Sequence, residues 1–388
     1  MPMPAAAPKP GPTRKSYYAR RSNAPLMAVG VAILVALAAV IHHPQQASAT
    51  RGPIERLYTP ISVDRVGVVD KLAAGKFAAL QTEIKTYQAA ANADPRTELN
   101  LMYAFSAFAQ PDPAIADQIK KWAADSPDSA IAHCARAVAL EQAAAHARGH
   151  EGGPSSSIPS SDFVEMEKDL SQATMEADSA RALDPNLINA YLIAIDAARM
   201  ETDPVAMEEA STRALGKFSL SFQVRRALIV GMAPRWGGSY DAMDKFANES
   251  QAQVAQNPML KYLLGFPSME QARDLQADEK WEQTIPVLNH AIEVGGDYAA
   301  FYIVRGKSLY ALKKYQDAMA DFQIANDLIP DDTQNLEMLA LTSHLLDKPS
   351  DALGFANRYL KLGESDKDIA DVREWAIAKV LQQTSSPN

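Results

Sequence analysis

Residues Ala299 to Asp332 read AAFYIVRGKSLYALKKYQDAMADFQIANDLIPDD, and this stretch decides the fold of the chain. Gly306 falls where two helices must approach closely, and Ala318, Phe322 and Ala325 follow on the second helix. Pro330 closes the unit. A single helix pair cannot bury its apolar face alone, so the stretch implies neighbours and a stacked helical array.

The pattern resembles a tetratricopeptide repeat almost position for position. Other stretches share its register. Ala173, Ala180 and Pro185 match the second half of such a unit. Tyr191 takes the position that Tyr302 holds in the clear repeat, and Ala214 matches Ala325. Ala272, Trp281 and Ala291 mark another unit, and Leu339, Ala340 and Ala352 the one after the clear repeat. The steps from Ala180 to Ala214 and from Ala291 to Ala325 are both 34 residues, the tetratricopeptide period. A closing helix, Lys367 to Gln383, would cap the array. The expected fold is therefore all-α, an α-solenoid of stacked antiparallel helix pairs. The resemblance implies a binding surface more readily than catalysis.

Composition agrees with a packed helical protein. Of the 388 residues, 47% are apolar and 22% charged, and aromatics stay at 7%. The net charge of −9 is unevenly spread. Residues 1–23 carry Lys9, Arg14, Lys15, Arg20 and Arg21 with no acid, so 33 of the 38 basic side chains face all 47 acidic ones in the remainder. That acidic body argues against nucleic acid as a partner and favours a basic protein or peptide.

The basic arm precedes LMAVGVAILVALAAVI, Leu26 to Ile41, which has no polar side chain. Counted from Ala24 the run reaches eighteen residues, near the lower limit for a bilayer-spanning helix. Residues 24–43 read as a transmembrane anchor or a signal segment. The positive-inside rule puts the arm in the cytoplasm and the body on the periplasmic side of a bacterial inner membrane. Ala47-Ser48-Ala49 offers the competing outcome, a cleaved signal ending at Ala49.

From about Ile54 the chain reads as almost wholly helical, after a linker at 44–60. An N-terminal helical region spans 61–147, with helices expected over 66–91 (broken at Gly75), 99–109, 115–124 and 129–147. A Gly/Ser/Pro loop follows at 148–162, then a central helical region at 163–266 and the repeats with their capping helix at 267–388. The stretch from Val66 to Phe266 also resembles a bacterial domain of unknown function. That resemblance rests on Trp122 with Ser126-Pro127-Asp128-Ser129-Ala130, on Ala147-Arg148-Gly149, and above all on Pro234-Arg235-Trp236-Gly237-Gly238-Ser239. It implies helical repeats and no particular activity.

Four constellations bear on function. Along a concave groove lined by first helices, Tyr302, Arg305, Ser308 and Leu309 would face a partner, with Asn335, Met338 and Thr342 beside them. Arg305 and Asn335 could clamp the backbone or carboxylate of an extended peptide. The alternative is that the neighbouring half fills the groove. At the PRWGGS turn, Arg235, Trp236 and Ser239, joined by Arg148 from the loop, could bind an anionic ligand at a helix N-terminus. Equally, Trp236 could anchor a tight interhelical turn while Arg235 pairs with an acid. His133, His146 and His150 with Glu151 offer a weak metal-ligand spacing, and no metal is expected. Cys134 beside His133 points to another helix face, and nucleophile elbows and phosphate or dinucleotide loops are absent. No cofactor and no catalytic residue are expected. The leading expectation is a membrane-anchored, periplasm-facing scaffold or adaptor for a protein or peptide. The runner-up is a small-molecule binder or hydrolase built on the 148–161 loop and Arg235 and Trp236.

Overall fold

The protein is described by a computed structural model over residues 54–109, 112–148, 159–363 and 366–385. The chain divides into two units, Met1–Gly52 and Pro53–Asn388. The expected basic arm, anchor and Ala49 cleavage site all lie outside the described residues. Within the described residues no helix is long and apolar enough to cross a membrane.

Seventeen α-helices form among the described residues: α1 (Arg65–Ala73), α2 (Phe77–Ala93), α3 (Glu98–Ser106), α4 (Pro113–Asp125), α5 (Ala130–Arg148), α6 (Ser160–Leu183), α7 (Asn189–Glu201), α8 (Pro204–Lys217), α9 (Phe222–Gly231), α10 (Tyr240–Ser250), α11 (Phe266–Ala277), α12 (Trp281–Gly295), α13 (Ala299–Ala311), α14 (Tyr315–Leu328), α15 (Thr333–Leu345), α16 (Pro349–Lys361) and α17 (Lys367–Ser385). Local sequence sets their starts. Asp64, Asp112, Asp203, Ser221, Ser239 and Asp332 each accept a backbone N–H of the first turn of the helix that follows. Pro113, Pro204 and Pro349 occupy first-turn positions, where a missing N–H costs nothing.

The clear repeat forms the hairpin α13–α14. An added Cβ at Gly306 would lie 2.5 Å from the Phe322 ring, so only glycine lets the two helices come this close. Hairpins α11–α12 and α15–α16 flank it, and α17 packs on α16 and α15. A shared turn links these hairpins. Glu279, Lys313 and Asp347, 34 residues apart in sequence, all adopt positive φ. The next residue, Lys280, Lys314 or Lys348, sends its N–H back five residues in a 2.9 Å bond that ends the first helix. Gly75 and Lys76 make the same turn between α1 and α2, with Lys76 N–H on the Lys71 carbonyl at 2.9 Å. A unit of this kind therefore recurs at the far end of the chain.

Two features depart from the expected array. Between α10 and α11 the 34-residue register is broken by 3₁₀ turns at Gln251–Gln253 and Pro258–Gly265, which separate the two matched pairs of alanines. And residues 54–63, which take in the end of the expected linker and the first positions of the expected helical region, contain no helix. Pro60 disfavours α geometry at Thr59, and the segment runs as a strap whose contacts are made with distant helices.

Among the described residues the two largest clusters of buried apolar side chains lie toward the N-terminal end and in the middle of the array. Near the N-terminal end, Trp122 stacks on Phe77 (5.8 Å, 9°) above Phe108. Hairpin α5–α6 is drawn tight by small buried residues, Ala135, Ala173, Ala177 and Ala180 among them. In the middle, Phe222, Tyr262, Phe266, Tyr298 and Phe301 form a continuous ring cluster with centroid distances of 5.2 to 6.3 Å, within the range of favourable edge and offset aromatic contacts.

Candidate interaction site

The first helices of the three C-terminal hairpins present a common face. A cavity of about 110 Å³ opens on it, lined by Arg273 and Gln276 from α11, by Ala300, Ile303, Val304 and Lys307 from α13, and by Asp332 and Gln334 at the start of α15. Gln276 is fixed by hydrogen bonds from its Nε2 to the Val304 carbonyl (2.8 Å) and Ser308 Oγ (2.7 Å). The cavity floor is apolar and its rim carries both charge signs.

The groove residues expected from sequence lie elsewhere. Tyr302 is buried, with its hydroxyl on Asp297 at 2.6 Å. Asn335 is buried and donates to the Phe322 carbonyl at 2.9 Å, and Met338 is buried in the α13–α15 core. Arg305 makes a two-pronged pair with Asp321 of its own hairpin (2.8 and 2.7 Å) and also donates to Asn289 on α12 of the preceding one, which commits it to contacts between helices. Ser308 and Thr342 are fully buried and Leu309 nearly so. The physical reason is helical phase. One residue turns the face of an α-helix by about 100°, and the residues of α13 that line the cavity, Ala300, Ile303, Val304 and Lys307, lie one or two positions from the expected set. Of these, Ile303 and Val304 are themselves largely buried and Lys307 is the more exposed.

Beside the cavity, the strap crosses the edge where α14 ends and α13 begins. Its backbone N–H groups at Glu55 and Leu57 donate to Asp297 Oδ2 (3.0 Å) and Tyr262 Oη (2.9 Å). Tyr58 is 5% exposed, sits edge-on to Tyr262 and donates its hydroxyl to the Leu328 carbonyl at 2.9 Å. Ile54, Ile61 and Tyr103 of α3 pack on a cluster that includes Tyr302, Ile303 and Leu328. Arg56 donates to the Asp327 carbonyl, and Arg65 to the Asp331 carbonyl at 2.7 Å. The N-terminal part of the body thus covers one end of the first-helix face, as the alternative sequence reading allowed. Nothing in the strap's own sequence marks these contacts, because it has no periodicity to read.

At the PRWGGS turn, a 3₁₀ segment Pro234–Trp236 leads through Gly237 (φ 91°) into α10. An added Cβ at Gly238 would meet the Met232 carbonyl at 2.0 Å, so the turn needs glycine there. Ser239 caps α10 by accepting from Ala242 N–H at 3.1 Å and takes no part in the cluster around Trp236. Arg148, Arg235 and Trp236 do come together. The Arg148 guanidinium carbon lies 4.4 Å from the Trp236 ring centroid, and those of Arg199 and Arg235 at 5.3 and 5.9 Å. Arg235 pairs with Glu270, whose side chain is wholly buried, and reaches Asp274 at 3.8 Å. Arg199 pairs with Asp196 at 2.7 Å. Burial and the neighbouring Asp196 push the Glu141 carboxyl well above the ordinary carboxylate range. The arrangement brings the end of α5 onto the indole of a tight interhelical turn, while the Arg235–Glu270 pair ties that turn to α11.

His133 is held by Glu176 (2.6 Å) and by the Pro127 carbonyl (2.9 Å), while His150 and Glu151 lie outside the described residues. Among the described residues no group of three His, Cys, Asp or Glu side chains is placed to hold a metal. Cys134 is fully buried, which pushes its thiol pKa well up. A further polar tie was invisible in the sequence. The Glu98 carboxylate, at the start of α3, accepts from Ser221 Oγ (2.6 Å) and from the N–H groups of Phe222 (2.8 Å) and Gln223 (3.2 Å) at the start of α9.

No protein-family description matches this sequence, and no curated protein matches it. Among solved structures the chain is similar to yeast Tom70, at 11% identity over 82% of this chain and 96% of that one, with a TM-score of 0.28. It is also similar to the TPR domain of P58(IPK), at 14% identity over 83% of this chain and 99% of that one, with a TM-score of 0.29. At such scores neither likeness adds to what the helix hairpins themselves display: the described body of the chain is an all-α array of helical repeats.

Proposed function

We propose that this chain is a non-enzymatic scaffold or adaptor that holds a protein partner on the first-helix face of its C-terminal hairpins. The observation that carries the reading is the cavity between Arg273, Ile303, Lys307 and Gln334, which opens on that face beside the chain's own N-terminal segment. Its apolar floor and polar rim suit an extended segment with one anchoring side chain. The apolar run at 24–43 supports attachment to a bacterial inner membrane with the array on the periplasmic side, and the acidic body favours a partner of basic overall charge.

Photo-crosslinking tests the surface. A crosslinker placed at position 307, in the cavity, should capture a discrete partner from detergent-solubilised membranes. The same group at Lys313, at the exposed hairpin tip, should not. Equal capture from both positions would refute the assignment. Mass spectrometry of the mature protein separates the anchored form from one cleaved after Ala49.

The runner-up, a ligand site or hydrolase at Arg148, Arg235 and Trp236, has the convergence of those three residues in its favour. The pairing of Arg235 with Glu270 and of Arg199 with Asp196 favours the scaffold instead, because it commits the cluster's charge within the fold.

A further inference from the structure

The strap carries no helix and bends at Leu57 and Tyr58 as it crosses the array. Its N–H groups at Glu55 and Leu57 bond to side chains of the array, and Ile54, Tyr58 and Ile61 supply its chief apolar anchors, with Leu57 beside them. In a segment laid along a surface in this way, main-chain bonds give affinity and side-chain pockets give selectivity.

The seat owes little to the strap. Tyr262 is held within the ring cluster by Phe222 and Tyr298, and Asp297 is fixed by the Tyr302 hydroxyl. The Leu328 carbonyl stands at the C-terminal end of α14, where helix carbonyls have no partner within the helix. A surface already arranged to receive a backbone and a tyrosine binds them with less ordering of its own.

We propose that this edge of the array is a second binding site, occupied in cis by residues 54–63. Its ligand in trans is a non-helical segment of another protein. That segment carries an aliphatic residue, an aromatic hydroxyl four positions on and a second aliphatic three positions further, the spacing of Ile54, Tyr58 and Ile61. The proposal rests on the interaction reading above but concerns a different surface, the edge beside the cavity. A tethered segment has a local concentration on the order of 1 mM. For a seat affinity of about 10–100 µM, it weakens an outside competitor roughly ten- to a hundredfold. A partner therefore binds at full strength only when the strap has left.

The test uses the full chain and a fluorescent synthetic peptide of residues 54–63, IERLYTPISV. The peptide should bind the Tyr58→Ala protein at least tenfold more tightly than wild type, and a peptide carrying the same Tyr58→Ala change should bind neither. Hydrogen exchange on the wild-type protein gives a readout that needs no variant. The Glu55 and Leu57 amides should exchange through a local opening, well before the amides of α13. Exchange of those two amides only together with α13, or no peptide binding to a folded Tyr58→Ala protein, overturns the proposal and makes the strap a fixed part of the fold. A dimer of the chain that the peptide dissociates also overturns it, in favour of strap exchange between two copies. Crosslinking from position 307 that persists without peptide binding fails this proposal alone; the reverse result fails the scaffold surface alone.

Discussion

The Trp236 cluster and the strap's seat both fasten distant stretches of chain together, by opposite means. Around Trp236 the fastening is ionic and closed. A wholly buried carboxylate, Glu270, sits against Arg235, and three guanidinium groups crowd one indole ring. At the seat it is made of separate hydrogen bonds, among them one to the Asp297 carboxylate and one from the Arg56 guanidinium, with one tyrosine and two aliphatic side chains. A buried ion pair is all-or-none, since losing one partner strands a charge in a medium that solvates it poorly. Separate contacts at an edge that water reaches are each small and can be given up a few at a time. The lesson is that the same array can contain a permanent clasp and a releasable one, told apart by what remains buried when each opens.

The largest expected effect breaks the clasp. Arg235→Ala leaves the Glu270 carboxylate buried with its main partner gone and should cost about 3 kcal/mol of global stability, read by urea denaturation. A loss below about 1 kcal/mol would mean that the two regions do not differ in kind.

Glu98 supplies the next effect, because it joins α3, which borders the strap, to the start of α9. Burial raises its carboxyl from the ordinary 4.5 to about 7, against the opposing pull of Ser221 and the Gln223 and Phe222 N–H groups. The folded pKa lies above the unfolded one, so this group's contribution to stability is fully present below about pH 4.5 and is lost as pH rises through about 7. Thermal melts across that window should show wild type losing on the order of 2 kcal/mol relative to Glu98→Gln, whose profile stays flatter. Parallel profiles would remove Glu98 as a titrating link.

The smallest effect belongs to the strap. Tyr58→Phe removes the bond to the Leu328 carbonyl and should cost about 1 kcal/mol. That cost should show as faster exchange at Glu55 and Leu57, with the melting of the helices nearly unmoved. A shift of the whole melting curve comparable to that of Arg235→Ala would make strap and clasp one cooperative unit.

Much of the helix layout could be read directly. The 34-residue spacing of alanines, Gly306 against Phe322 and the capping Asp and Ser residues are local or periodic signals, and the expected helices fall within a few residues of those observed. The interaction face was harder. A face is a matter of angle, and an error of one or two residues in phase exchanges Tyr302 and Arg305 for Ile303 and Lys307 as the residues that line the cavity. The strap and the Glu98 tie were out of reach for another reason. The partners of Leu57, Tyr58 and Glu98 lie 205, 270 and 123 residues away, and a bond from a backbone N–H to a tyrosine hydroxyl leaves no pattern in either stretch. The meeting of Arg148 with Trp236 was foreseen as a question, and only the fold could answer it.

The strap's place near the start of the chain also sets a timetable. Tyr262, Asp297 and Leu328 follow their strap partners by 205, 242 and 270 residues. At a synthesis rate of about 5–20 residues per second, Tyr58 waits roughly ten seconds to a minute before its seat exists. Throughout that interval Ile54, Tyr58 and Ile61 have emerged without the surface that later covers them. The array is thus closed by a segment made well before its partners, and in that interval the segment is a target for a nascent-chain chaperone that recognises short aliphatic and aromatic stretches.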